Sequence, residues 1–263
     1  MSRRYGIDVS RFQDPKAPAG VPWATLAKQS TFLIARLSYG GWADPNAAAH
    51  IQNARAEAMQ VGGYHFLVTD QDVQRQLDVF CAQAVRCGIG AGDILPALDI
   101  EDDGPRKITP AIEPLVRRAC DILTAEFGGV ITYITARDWA RMGSPAWLLQ
   151  LPQWTANYTN APKPMTPGNV VPAIWQNKVG PYGPGTPFVA KDAYLPNAID
   201  HDVADAPLPL ATLKPRAPGE LPPVVVPAPP DHAEVWQARL NTLTSSALAS
   251  LDLRADHDAP DFS

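Results

Sequence analysis

The first 206 residues alternate between short strand patterns and longer helix patterns, and this alternation constrains the fold more than any other feature. Five apolar or β-branched runs are each bounded by glycine, proline or polar residues, which is typical of buried strands. The segments between them carry apolar residues at helical spacing, as Val73, Leu77 and Phe80 do within residues 70–86. Strand–helix alternation of this kind predicts parallel βαβ units.

Eight strands and five helices are predicted in this region. The strands cover residues 5–9, 32–37, 63–68, 95–100, 130–135, 153–158, 173–177 and 198–203, and the helices cover residues 23–29, 45–60, 70–86, 110–127 and 137–142. After residue 145 the connections are rich in proline and glycine and show no long helical pattern. This order favours the α/β class and a modified TIM-type (β/α) barrel, with five strand–helix units, three further strands and a C-terminal extension. A doubly wound open sheet is the alternative.

Proline marks the boundary of the predicted barrel. Nine of the 28 prolines fall between Pro207 and Pro230, so residues 207–230 are predicted to form a semi-rigid linker. We therefore expect the barrel to span residues 1–206 and a short amphipathic helix with a polar tail to span residues 231–263. This helix is expected to dock either on the barrel or on an unidentified partner.

Composition excludes several classes of protein. The net charge is −5 and no basic patch stands out, which argues against a nucleic-acid ligand. The three cysteines do not form a disulfide framework, so we expect buried or free thiols. No apolar run approaches the roughly 18 residues that a membrane span needs. No apolar segment follows Arg3 and Arg4, so we expect no signal peptide and synthesis in the cytoplasm.

Four carboxylates occupy positions where barrel enzymes carry their chemistry, at the carboxyl ends of the strands. Asp8 alternates with apolar neighbours on the first strand, and Asp200 lies on the last. Asp99 and Glu101 are two residues apart, so a strand would project both from one face, where their repulsion raises at least one pKa. A single aspartate at a strand end can equally cap a helix or form a turn. Two charges at the end of a buried strand need a stronger reason, because burial of a charge is costly.

Other polar residues near this level receive simpler interpretations. Asp102 and Asp103 continue the acidic run and are expected to lie in a solvated loop. His65 alternates away from its aromatic neighbours and is expected to pack or hydrogen-bond behind the barrel wall. The pair His201-Asp202 is only weakly similar to the metal-binding motif of metal phosphohydrolases, because further ligands are missing. We therefore expect no metal and no cofactor.

Aromatic side chains accompany the carboxylates along the predicted strands. They are Tyr64, Phe66, Tyr133, Trp154, Tyr158 and Trp175. Aromatic rings with polar tips beside carboxylates suit a sugar ligand, whose apolar faces stack while its hydroxyls form hydrogen bonds. The alternative is that they fill the core of the barrel.

Seven segments in order resemble glycoside hydrolase family 25, the lysozymes of the Chalaropsis type that include phage endolysins and bacterial muramidases. They are Gly-Ile-Asp-Val-Ser at 6–10, Gly-Gly-Tyr-His-Phe at 62–66, Leu-Asp-Ile-Glu at 98–101, Ile-Thr-Tyr at 131–133, Trp-Thr-Ala-Asn-Tyr at 154–158, Ile-Trp-Gln at 174–176 and Ile-Asp at 199–200. The resemblance implies a modified (β/α) barrel. It also implies cleavage of the β-1,4 bond from N-acetylmuramic acid to N-acetylglucosamine in peptidoglycan, so glycan strands would be the partner. With no signal peptide, release by lysis, through a holin-type pore or by injection would bring it to the cell wall.

The resemblance also implies roles for individual residues. Glu101 would be the general acid/base and Asp99 its partner, acting as the nucleophile or as the stabiliser of attack by the 2-acetamido group of the substrate; both routes retain configuration. Asp8 and Asp200 would be further site residues. Arg36 would contact substrate where many members have lysine, and Asn177 stands where many have tyrosine. A non-catalytic carbohydrate-binding barrel is the alternative function.

Overall fold

A computed structural model describes residues 3–13, 21–158, 163–181 and 198–215 of the chain. The strands are β1 Arg4–Val9, β2 Phe32–Tyr39, β3 Trp42–Ala43, β4 Gln60–Phe66, β5 Ala97–Asp99, β6 Ile131–Tyr133, β7 Gln153–Ala156, β8 Ile174–Pro181 and β9 Ala198–Ala204. The α-helices are α1 Trp23–Leu26, α2 Ala47–Ala56, α3 Val73–Cys87, α4 Glu113–Phe127 and α5 Ala136–Arg141. Short 3₁₀ helices cover Pro110–Ile112, Ala146–Gln150 and Pro167–Asn169.

The strands form a closed barrel. Their order is β1-β9-β8-β7-β6-β5-β4-β2, and the pairing of β1 with β2 closes the ring, while β3 adds to the free end of β2 as a hairpin. Each of β1, β2, β4, β5 and β6 is followed by a helix, and β7, β8 and β9 complete the barrel. This confirms the predicted modified (β/α) barrel and rules out the open sheet.

The last strand runs against its neighbours. All pairings from β1 through β2 and β4 to β8 are parallel, whereas β9 is antiparallel to both β8 and β1. The sequence between β8 and β9 carries no helical pattern, and an antiparallel return needs no crossover helix. The barrel is therefore mixed rather than all parallel.

Helices α3 and α4 cover one side of the barrel, and their ends follow from local sequence. Asp72 caps α3 by accepting a hydrogen bond from the backbone N–H of Arg75, and Gly88 ends it with φ +66°. The two helices meet where Phe80 packs edge-on against Phe127, with 5.8 Å between ring centroids. Cys81 and Cys120 are buried free thiols on these helices.

Residues 207–215 lie against the barrel. The backbone N–H of Leu95 donates to the carbonyl of Pro209 at 2.9 Å, and that of Ala211 donates to the carbonyl of Asp93 at 2.8 Å. Leu208 and Ala211 are buried. The predicted helix over residues 231–252 and the polar tail lie outside the described residues. Among those that are described, no helix is both long enough and apolar enough to cross a membrane.

Candidate active site

The barrel brings the predicted carboxylates to one end. Asp99 is the last residue of β5, and Glu101 lies two residues further on, at the carboxyl end of the parallel strands. Asp8 lies near the same end of β1, and Asp200 on the antiparallel β9 is its direct partner in the ladder. Because β5 ends at Asp99, Glu101 projects from a loop and not from the strand face that the sequence pattern predicted.

The loop that carries Glu101 is anchored by its two following aspartates. Asp102 accepts hydrogen bonds from the backbone N–H of Ile108 at 2.8 Å and from Nη1 of Arg141 at 2.9 Å. Burial raises the pKa of Asp102, but these hydrogen bonds and the charge of Arg141 act in the opposite direction and leave it below its ordinary value. Asp103 is only 2% exposed and accepts from the hydroxyl of Tyr39 and from Nη1 of Arg106.

The expectation that Asp102 and Asp103 lie in a solvated loop is therefore wrong. Tyr39 and Arg141 lie 64 and 39 positions from the aspartates that they contact, so no local pattern in the sequence identifies them. Arg106, by contrast, is only three positions from Asp103. The consequence for the site is that Glu101 lies directly before two fixed side chains, so its backbone has little freedom to move.

A hydrogen-bonded chain of side chains holds Asp8. Nε2 of Gln176 donates to Oδ2 of Asp8 at 2.6 Å. The hydroxyls of Tyr133 and Tyr158 both donate to Oε1 of the same glutamine, at 3.0 and 2.6 Å. Two donors on Oε1 fix the orientation of the amide, so that its NH₂ group faces Asp8. Sequence reasoning quoted Gln176 only as part of a motif, although a buried glutamine in a barrel strand is itself a signal.

A fifth carboxylate, Asp202, was missed as a site residue. It lies on β9, two residues after Asp200, and its side chain is 1% exposed. Nε1 of Trp154 donates to its Oδ1 at 2.8 Å. Burial is the main reason that the pKa of Asp202 lies far above its ordinary value, and the negative charge of Asp200 raises it further. The same two-residue spacing that singled out Asp99 and Glu101 would have found it.

The predicted aromatic residues occupy different parts of the barrel. Trp154 lies in the barrel interior, 4.8 Å from the ring of Tyr133 and 6.0 Å from that of Tyr64 between centroids. Phe66 stacks on Tyr39 at 4.9 Å, near the mouth of the barrel. Trp154, Tyr133, Tyr64 and Phe66 are all between 2% and 6% exposed, so most of their area belongs to the core.

Trp175 is the one predicted aromatic residue that the structure does not bring to the carboxylates. It precedes Gln176 on β8, and successive side chains of a strand point to opposite faces. Gln176 contacts Asp8 inside the barrel, so Trp175 lies on the outer face, where its Nε1 donates to the carbonyl of Asn157 at 2.8 Å. Tyr158, by contrast, reaches the inner network through Gln176.

Arg36 is buried and ion-paired. Its Nε lies 2.8 Å from Oδ2 of Asp44, and its guanidinium lies over the rings of Phe12 and Trp42, at 5.4 and 5.8 Å from their centroids. Arg36 pairs with Tyr64 on the inner face, and the bulge that follows, between Arg36 and Ser38, turns Ser38 towards His65 on the outer face. Sequence reasoning did not identify Asp44, because a loop aspartate gives no sign of a buried cation.

His65 lies away from this cluster. Nδ1 of His65 lies 2.8 Å from Oγ of Ser38, its ring packs against Phe80 of α3, and burial lowers its pKa to about 3. This agrees with its expected place behind the barrel wall. Within the part of the chain that the structure describes, no three His, Cys, Asp or Glu side chains are grouped as metal ligands are.

Comparison with known proteins identifies the family. The model of Glycosyl hydrolases family 25 matches residues 7–184, more than half of the chain. The fold is similar to a bacterial lysozyme from Streptomyces coelicolor, with a TM-score of 0.63, 21% identity, and coverage of 78% of this chain and 94% of that one. A family GH25 lysozyme from Aspergillus fumigatus gives a TM-score of 0.61, 19% identity and coverage of 78% and 95%.

A phage enzyme has the same fold. The catalytic domain of endolysin ply40 from bacteriophage P40 of Listeria monocytogenes gives a TM-score of 0.58 and 18% identity, over 78% of this chain and 94% of that one. No curated protein matches the chain significantly. The chain, with its barrel and acidic mouth, therefore belongs to Glycosyl hydrolases family 25.

Proposed function

We propose that this protein is a muramidase that cleaves the β-1,4 bond between N-acetylmuramic acid and N-acetylglucosamine in peptidoglycan. Its family membership and its likeness to structures named lysozymes and endolysins support this. The observation that carries the proposal is the placement of Asp99 and Glu101 two residues apart at the mouth of the barrel, with Asp8 and Asp200 paired at the same end. The alternative is a non-catalytic carbohydrate-binding barrel.

Glu101 and Asp99 have different roles in the cleavage reaction. Glu101 gives its proton to the glycosidic oxygen as the bond from that oxygen to C1 of the muramyl ring breaks. Asp99 stays ionised and either attacks C1 or orients the 2-acetamido oxygen for that attack. Water then adds to C1 and returns a proton to Glu101. Both routes retain the anomeric configuration, because C1 is displaced twice.

The remaining residues shape the sugar site. Asp8 and Asp200 accept hydrogen bonds from sugar groups, and the half-buried Tyr158 contacts the glycan. Arg36 and Phe66, 5% and 6% exposed, line the site behind it. Tyr64, Tyr133 and Trp154 contribute mainly by fixing the carboxylates, because little of their surface is free to stack on a sugar. Trp175 lies outside this set.

The protein acts on the cell wall, and we propose that lysis, a pore or injection delivers it there. Residues 1–206 form the catalytic unit, with residues 207–215 fastened to it. Beyond these, the proline-rich segment up to residue 230 is a spacer, and residues 231–263 attach to the barrel or to a partner.

The test is purified protein on purified peptidoglycan, with the released fragments reduced by borohydride and identified by mass spectrometry. We expect fragments that end in reduced N-acetylmuramic acid. Fragments that end in reduced N-acetylglucosamine would show that the protein is a glycoside hydrolase but cleaves a different bond from the one proposed. Binding to glycan without any fragment, from several different cell walls, would favour the binding barrel.

Removing the anchor of the catalytic loop is expected to slow catalysis without weakening binding. Arg141→Met deletes the ion pair with Asp102 and leaves Glu101 less well placed, so kcat falls by about tenfold while KM changes little. The matched control is Arg3→Met, which removes an exposed ion pair with Asp205 far from the loop. Equal kcat values for the two variants would show that the bond from Ile108 and the ion pair with Lys107 anchor the loop without Arg141.

A further inference from the structure

The carboxyl of Asp202 has no part in the mechanism above, yet it is held deep in the barrel wall. Asp200 pairs with Asp8 on β1, whereas Asp202 pairs with Gly6, further from the mouth. A buried carboxylate normally has a cationic partner, because an isolated buried charge is costly. Among the described residues, no Lys or Arg nitrogen lies within ion-pair distance of Asp202.

The hydrogen bonds around Asp202 require a proton. Indole N–H groups only donate, so Oδ1 of Asp202 accepts from Trp154. No N–H or O–H group of the described residues donates to Oδ2. The register of β1 and β9 places Asp8 and Asp202 two positions apart on the same face, and the interaction with Asp8 acts to lower the pKa of Asp202. Two ionised carboxylates are both acceptors only. A hydrogen bond between them therefore exists only if one of the pair carries a proton.

Asp8 also has one oxygen fixed by a neutral donor. Its Oδ2 accepts from Nε2 of Gln176, and this amide cannot turn over because Tyr133 and Tyr158 donate to its oxygen. Neutral donors thus fix one oxygen of each acid, and the register of β1 and β9 places the two acids on the same face of the barrel wall. Burial keeps the pKa of Asp202 high, the charge of Asp200 adds to this, and the bonds from Trp154 and Asp8 only partly offset it.

We propose that Asp8 and Asp202 share one proton, and that Asp202 is a positioning residue that holds Asp8 towards the substrate. The inference rests on the proposed function only for the role of Asp8. The contacts of the described residues place these titratable groups beside the pair: Asp200 on β9 and, through Gln176, Tyr133 and Tyr158. The facing groups from β7 and β8, Trp154 and Gln176, are neutral. Loss of the shared proton places two charges side by side in the wall, with Asp200 close by.

The raised pKa of Asp202 makes the stability of the folded protein depend on pH. A carboxyl whose pKa is raised on folding binds its proton more tightly in the folded state. The free energy of unfolding therefore falls as the pH rises from about 4, the ordinary aspartate range, towards the raised value. Asp202→Asn removes this titration and keeps an N–H donor for Asp8, so its stability no longer falls over this window. Urea unfolding at a series of pH values measures this.

Asp205→Asn is the matched control, because Asp205 lies one residue beyond β9, is exposed and pairs with Arg3. Its hydrogen bond to Arg3 lowers the pKa of Asp205, so this variant loses a stabilisation that is constant above about pH 4, and it alters the pH dependence of unfolding only below that value. An infrared band of a protonated carboxyl at neutral pH, present in the wild type and lost in Asp202→Asn, measures the shared proton directly.

The activities of two variants distinguish a positioning role of Asp202 from a direct role in the reaction. Asp202→Asn is expected to keep kcat on peptidoglycan within about threefold at neutral pH and to move the alkaline limb of the pH profile upward, because Asp8 keeps a donor. Asp202→Leu has similar size but no polar atom, so kcat is expected to fall by about tenfold or more. KM reports separately on contacts that Asp8 makes to the bound sugar.

Three results would overturn parts of this proposal. An unchanged pH dependence of unfolding in Asp202→Asn would exclude the shared proton. Equal activity of Asp202→Asn and Asp202→Leu, whether both high or both low, would exclude the positioning role. If the wild type cleaves no glycan while unfolding and infrared spectra respond as expected, the shared proton stands and the muramidase assignment fails.

Discussion

Replacing Glu101 by glutamine is expected to lower kcat for peptidoglycan cleavage by about 10²–10⁴-fold and to leave glycan binding intact. The amide has almost the same shape as the acid but cannot give a proton to the glycosidic oxygen. The leaving sugar would then depart as an alkoxide, which is the step that a general acid makes easy. Borohydride-reduced fragments measure cleavage, and co-sedimentation with insoluble peptidoglycan measures binding.

Glu57→Gln is the matched control for this substitution. Glu57 is an exposed glutamate after α2, so it reports what the loss of one surface charge does to binding of an anionic wall. We expect wild-type cleavage from it. Full activity in Glu101→Gln would show that another residue is the general acid. Loss of binding together with activity would indicate that Glu101 also binds the sugar.

Trp154→Ala is expected to have the largest effect on stability. Its side chain is 2% exposed, packs against Tyr64 and Tyr133, and donates the only N–H bond that Asp202 receives among the described residues. Truncation of a buried Trp costs about 3–5 kcal/mol. The unpaired oxygen of Asp202 adds about 1–3 kcal/mol. Set against a typical total of 5–15 kcal/mol, this loss leaves a marginal or unfolded protein.

Urea unfolding of Trp154→Phe separates the two contributions. Phenylalanine keeps most of the apolar contact and loses the N–H, so we expect an intermediate loss of stability and a measurable transition. Trp147→Ala is the control, because Trp147 is a partly buried surface tryptophan that donates to Glu113. If Trp154→Ala lost no more stability than Trp147→Ala, the Trp154 side chain would contribute no more to stability than a partly buried surface tryptophan does.

The secondary structure and the end of the barrel that carries the chemistry could be predicted from the sequence. All eight predicted strands correspond to barrel strands, and Asp8, Asp99, Glu101 and Asp200 lie at one end of it. These features depend on local periodicity and on a rule for parallel barrels, so neighbouring residues suffice to predict them. Gly88 ends α3 for the same kind of reason, since its φ of +66° suits glycine.

The partners of the buried polar groups could not be predicted, because closure of the barrel brings them together. Gln176 and Asp8 are 168 positions apart, and Trp154 and Asp202 are 48 apart, so no local pattern connects them. Asp103 looks like a solvated loop residue, but the hydroxyl of Tyr39, 64 positions away, donates to it in the folded barrel. Trp175 falls outside the site because strand alternation turns it outward once Gln176 faces inward. Local patterning thus determined which residues form the barrel and its acidic mouth. Only the tertiary structure decided how those acids are held, since burial and hydrogen bonding depend on contacts across the ring.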